Sequence, residues 1–96
     1  MEDLLTKEKT EIKVPKMYNV ILLNDDYTSI DFVISILVKI FGKNVAEAIA
    51  LAEQVHRQGK GIAGTFTKDI AETKAATCEK LAKQYEYPLK LEVSQA

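Results

Sequence analysis

The chain has 96 residues, room for one small domain, and its 47% hydrophobic and 28% charged composition is that of a soluble globular chain. A domain of this size buries only about 60–65% of its unfolded surface, so most apolar side chains must serve the core and little is left to support a deep enzyme cleft. Thirteen Lys and Arg against fourteen Asp and Glu give a net charge of −1, without the basic excess or Lys/Arg run of a nucleic-acid binder.

Residues 1–16 read as a flexible N-terminal tail. Glu2, Asp3, Lys7, Glu8, Lys9, Glu11, Lys13 and Lys16 are charged, four of each sign, and Pro15 closes the stretch. Such a segment buries too little apolar surface to offset the entropy of ordering it. Its start, Met1-Glu2-Asp3-Leu4-Leu5, has no signal-peptide core, and no apolar run in the chain reaches the roughly 18–20 residues of a membrane span. A cytoplasmic location is expected.

Residues 17–96 read as the folded domain. Met17–Leu23 is a branched and aromatic-rich run that suits a buried strand, stopped by the turn cluster Asn24-Asp25-Asp26. Thr28 has the position of a helix N-cap, with Asp31 three residues on. From Ile30 to Phe41 only Asp31, Ser35 and Lys39 are polar, a narrow stripe at i, i+4 and i+8 on a helix otherwise apolar all round. Gly42 ends that helix. Asn44 and Glu47 form a capping-box pattern that opens a second helix, running to about Arg57 before Gly59. Ile62–Phe66 suits a second strand. Thr67 is placed to cap a third helix, on which Ala71, Ala75, Cys78, Ala82 and Tyr85 keep a period near 3.6. After Pro88, Leu89, Leu91 and Val93 alternate with Lys90, Glu92 and Ser94, a strand exposed on one side. The order β-α-α-β-α-β implies an α+β fold: a small three-stranded antiparallel sheet packed on one face by three helices.

Several chemical motifs are spelled by chance. Gly59-Lys60-Gly61-Ile62-Ala63-Gly64 has the letters of a dinucleotide loop, but a helix precedes it and a strand follows, the reverse of what phosphate binding needs. The inner Gly61–Gly64 matches a KH-type loop without its helices or basic surroundings. Asn24-Asp25-Asp26 could hold a divalent metal, yet no second strand brings a further carboxylate, and an Asx-turn leading into the helix is the plainer reading. The single Cys78 excludes an internal disulfide and a paired-cysteine zinc site. His56 near a helix C-terminus can simply offset the dipole. No cofactor, metal or catalytic residue is expected.

Taken together, Met17–Thr28 with its Asn24-Asp25-Asp26-Tyr27-Thr28 end, Phe32-Val33, Val55-His56-Arg57-Gln58-Gly59-Lys60, Ala71-Glu72-Thr73-Lys74 and Tyr87-Pro88-Leu89 resemble the ClpS family of Clp-protease adaptors, the bacterial N-recognins. The likeness covers about residues 17–93. It implies a monomeric, non-enzymatic adaptor that binds the free α-amino group and bulky first residue (Leu, Phe, Tyr or Trp) of an N-degron substrate. The adaptor hands that substrate to a ClpA- or ClpC-type AAA+ unfoldase for degradation by ClpP. By the same resemblance Asn24, Asp25 and His56 hold the amine directly or through water, Asp26 and Thr28 position the first peptide unit, and Ile30, Val33, Ala52, Val55 and Leu89 wall the side-chain pocket. Asp69 and Lys74 face the unfoldase, and the tail serves delivery rather than docking.

An α-ammonium is a compact cation with three N–H donors, and convergent acceptors of these types suit it. Protonated His56 would lose its acceptor and repel the ammonium, so affinity is expected to fall in mild acid. Ile30 and Ala52 stand where many members of the family carry Met; the stiffer Ile and the space left at the rim by Ala imply an altered ranking of first residues. The competing expectation is a protein-interaction module of ribosomal-stalk-like α+β shape, with no specificity for an amine.

Overall fold

Strand β1 (Met17–Leu23) occupies the middle of a three-stranded sheet in the order β2-β1-β3, paired antiparallel on both sides. The structure, a computed structural model, describes residues 14–96; residues 1–13, most of the stretch read as a tail, lie outside the described residues. Along the chain follow α1 (Ile30–Lys39), α2 (Val45–Gln58), β2 (Lys60–Thr67), α3 (Lys68–Gln84) and β3 (Lys90–Gln95). The expected element order and sheet arrangement are those observed.

Although β1 is apolar at nearly every position, its burial alternates: Val20 and Leu22 are inaccessible, whereas Ile21 and Leu23 are only half-buried. The buried strand expected from this run is thus buried on one face only, as a sheet with an open second face requires. All three helices pack on the Val20–Leu22 face, and the period of two turns Ile21 and Leu23 to the other. Strand β3 shows the same alternation, with Leu89 and Leu91 buried and Lys90, Glu92 and Ser94 exposed. Strand β2 pairs with β1 through a bulge: Val20 faces Gly64 but Ile21 faces Ile62, which leaves Ala63 as the extra residue.

The helix ends follow local rules with two exceptions. Asn44 accepts from the Glu47 N–H at 2.8 Å and Glu47 accepts from the Asn44 N–H at 3.2 Å, closing the capping box of α2. Ser29, not Thr28, caps α1: its hydroxyl accepts from the Phe32 N–H at 3.1 Å, and α1 stops at Lys39, short of Phe41. Thr67 precedes α3 as expected but makes no side-chain capping bond.

Helix α3 reaches the sheet through small side chains. Ala71, Ala75, Cys78 and Ala82 are buried, which lets the helix axis lie close to β1 and β3. Burial pushes the Cys78 thiol up to about 12, so it stays protonated and packs as a small apolar group. Tyr85, which continues the same period, is instead 62% exposed, because the helix ends at Gln84 and Tyr85 lies beyond its last turn. Glu79 accepts from the Leu91 N–H at 2.9 Å, occupying an outward donor at the start of edge strand β3.

Candidate functional site

One backbone bond assembles the site. The Asn24 N–H, just past β1, donates to the Gly59 carbonyl at 2.9 Å. Gly59 ends α2 in the left-handed conformation (φ 94°), and its own N–H donates to the Val55 carbonyl at 2.9 Å. A residue with a Cβ adopts that conformation only at a cost, so glycine is what allows the chain to leave α2 and enter β2 immediately. The strand end is thereby tied to the end of α2, and His56, in the last turn of that helix, shares a cleft with Asn24.

The loop between β1 and α1 is an Asx-turn built on Asp25. Its Oδ1 accepts from the Tyr27 N–H at 2.8 Å and the Thr28 N–H at 2.7 Å, and its Oδ2 accepts from the Thr28 hydroxyl at 2.8 Å. Burial alone would raise the Asp25 pKa, but the bonds from Thr28 and Tyr27 outweigh it and hold the carboxyl below its ordinary value of 3.8. Because the Thr28 hydroxyl is committed to Asp25, the cap of α1 passes to Ser29.

Below the turn, α1 and α2 supply an apolar wall. Val33, Ala52 and Val55 are all buried, and Ile30 is 46% exposed at the mouth. Ala52, expected in the wall, lines the cleft at 2% exposed, where its small side chain leaves room. The result is a cleft of about 380 Å³ lined by Asn24, Asp25, Asp26, Thr28, Ile30, Val33, Ala52, Val55 and His56. Its polar lining includes two carboxylates, an amide and an imidazole, and its apolar lining is aliphatic. Such an arrangement suits a ligand with a cationic head beside a bulky apolar group. Leu89 does not line this cleft. It is 3% exposed in the core, on the same helix-covered side of the sheet as Leu91.

Asp69 and Lys74 lie together in the first half of α3, beside a shallow hollow of about 260 Å³ that they share with Ile70 and Thr73. Lys74 is more than a surface charge. Its ammonium donates to the Ile40 carbonyl at 2.7 Å, at the C-terminus of α1, and sits 5.3 Å and 5.9 Å from the ring centres of Phe66 and Phe41. Sequence spacing gave no sign of this tether, since 34 positions separate its partners. Nor did it mark the Asn24–Gly59 bond, although a Gly placed straight after a helix was a usable cue. Among the described residues, no group of three or more His, Cys, Asp or Glu is arranged to hold a metal ion, and no helix is long and apolar enough to cross a membrane.

Comparison with known proteins finds relatives over most of the chain. The sequence model of the family described as "ATP-dependent Clp protease adaptor protein ClpS" matches residues 13–92. The ATP-dependent Clp protease adapter protein ClpS of Acetivibrio thermocellus is 50% identical over 90 residues, covering 92% of this chain and 91% of that protein. Its counterpart in Vibrio cholerae is 48% identical over 94 residues, covering 98% of this chain and 89% of that protein. Among solved structures, that of Agrobacterium tumefaciens ClpS2 bound to L-phenylalaninamide superposes with a TM-score of 0.83 at 35% identity, over 86% of this chain and all of that one. With a family match across most of its length and relatives at about half identity, the chain belongs to the ClpS family of Clp protease adaptors.

Proposed function

We propose that the cleft binds the free α-amino group and bulky hydrophobic first side chain of N-degron substrates. The adaptor itself catalyses nothing and acts as a monomer, delivering its cargo to a ClpA- or ClpC-type AAA+ unfoldase. One observation carries this reading: a single cleft is lined both by acceptors (Asn24, Asp25, Asp26 and His56) and by the aliphatic side chains of Ile30, Val33, Ala52 and Val55. The related ClpS2, solved with L-phenylalaninamide, supports it, since that molecule is an aromatic side chain next to a free amine.

Magnitudes fit the task. Burying an aromatic or Leu side chain of roughly 150–200 Å² gives about 4–5 kcal/mol gross. A few charge-assisted bonds at about 1.5–3 kcal/mol each bring the gross sum near 10 kcal/mol, and association costs leave an affinity in the micromolar range or somewhat tighter. Asp69 with Lys74 forms the unfoldase-facing surface, and residues 1–16 serve delivery. The deciding experiment is a titration with a Phe-initiated peptide, free and N-acetylated. Binding collapses on acetylation if the amine is read; equal binding of both peptides would instead favour an interaction module without amine specificity.

A further inference from the structure

The polar stripe of α1 takes no part in the cleft just described. Asp31, Ser35 and Lys39 instead form one wall of a separate groove between α1 and the end of α3, whose apolar side includes the rings of Phe32, Tyr85 and Tyr87. At about 400 Å³ this groove matches the amine cleft, at about 380 Å³, in size. Phe32 is nearly buried and lies 5.5 Å from Tyr85 and 5.1 Å from Tyr87, centre to centre. The two tyrosine rings are almost parallel, 6.4 Å apart and inclined by 6°. The cluster is therefore held in place by Phe32, yet Tyr85 leaves 62% of its surface to solvent. A rigid, half-open aromatic surface of this kind binds side chains at low cost in conformational entropy.

The two cavities meet across the first turn of α1. Thr28 and Ile30 line the cleft, while Ser29 between them and Asp31 after them line the groove. A peptide anchored by its amine at Asn24 and His56 and leaving the cleft over this turn would reach the groove. Crossing one helix, about 10–12 Å wide, takes three or four residues of extended chain at roughly 3.3 Å each.

We propose that the Phe32–Tyr85–Tyr87 groove is a second subsite for the same substrate, taking a bulky apolar or aromatic side chain at about the fourth or fifth position. The reading rests on the amine-binding function proposed above. The stripe suits an extended backbone: the Asp31 carboxylate and Ser35 hydroxyl accept from peptide N–H groups, and Ser35 and Lys39 donate to carbonyls. A purely apolar partner surface would leave these three polar side chains without a counterpart. An extended peptide with one large side chain meets both walls.

The test is a set of octapeptides beginning with Phe, otherwise of Ser and Gly, in which a single Trp is moved from the third to the seventh position. Affinity is read by fluorescence anisotropy for the wild-type chain and for Tyr85→Ser, a substitution at an exposed position outside the helix. A Trp at the fourth or fifth position should tighten binding by about three- to tenfold. Tyr85→Ser should abolish that gain while leaving affinity for the Trp-free peptide unchanged, with the melting temperature lower by only a few degrees from the lost ring contacts to Phe32 and Tyr87. A gain independent of position, or one that survives Tyr85→Ser, would overturn the subsite. N-acetylated versions separate the two readings: undiminished binding after acetylation refutes amine recognition itself, whereas loss on acetylation with no positional gain refutes only the second subsite.

Discussion

Removing the Asp25 carboxylate tests whether the turn or its charge matters more. In Asp25→Ala three hydrogen bonds disappear together. The Tyr27 N–H is exposed and regains water, so its loss costs little; the two Thr28 bonds are partly buried and are each worth about 1 kcal/mol net. About 2 kcal/mol of loop order is therefore lost, and with it the placement of Asn24 and Asp26, which corresponds to roughly 10–30-fold weaker peptide binding. Asp25→Asn separates the two contributions. Its Oδ1 still accepts from both backbone donors, and the Thr28 hydroxyl can turn to accept from the new amide. Geometry survives while the negative charge beside the ammonium is gone, so the loss should be about fivefold.

Anisotropy with a labelled Phe-initiated peptide, measured at low and high salt alongside thermal melts, gives the order wild type, Asp25→Asn, Asp25→Ala. Wild-type affinity in Asp25→Ala would refute the role of the turn, and equal losses in both variants would refute the separation. The folded-state pKa of Asp25 is depressed, so its contribution is complete above the ordinary carboxyl value of 3.8 and disappears only as pH falls through the lower folded value.

His56 lines the same cleft, and His56→Ala, which removes its ring acceptor, should weaken a Phe-initiated peptide by about five- to tenfold; unchanged affinity would remove His56 from the amine site. Ala52→Met puts a longer side chain into the wall of the cleft and should weaken Trp-initiated peptides more than Leu-initiated ones; an identical ranking in Ala52→Met and Ile30→Met would show that neither position sets specificity. Gly59→Ala meets no atom within 4 Å, so its cost is that of a left-handed backbone at φ 94°, about 1–2 kcal/mol, or a melting temperature lower by about 5–10 °C. An unchanged melting temperature would contradict that origin.

Local chemistry made much of this molecule readable. The Asn44–Glu47 box, the glycines after α1 and α2 and the alternation in β3 each act over a few residues, and each appears in the structure as the spacing implies. The cleft residues came from family resemblance, and the fold brings nine of them to one place. What could not be read were choices made between distant segments. Whether Thr28 or Ser29 capped α1 depended on Asp25 claiming the Thr28 hydroxyl. Leu89, placed in the wall by the family pattern, is not among the nine residues that line the cleft. Tyr85 fitted the buried period of α3 by arithmetic, but the helix ended one residue too early for the period to apply.

The tether of Lys74 has a consequence for genetics. Its ammonium holds the C-terminal end of α1, whose other end borders the amine cleft, so an allele that removes Lys74 changes both an external surface and an internal brace. Asp69, exposed in the first turn of α3, offers the cleaner lesion. A suppressor screen begun from Asp69 would return compensating changes in whatever docks on α3, whereas one begun from Lys74 would also return changes inside this chain that re-anchor α1.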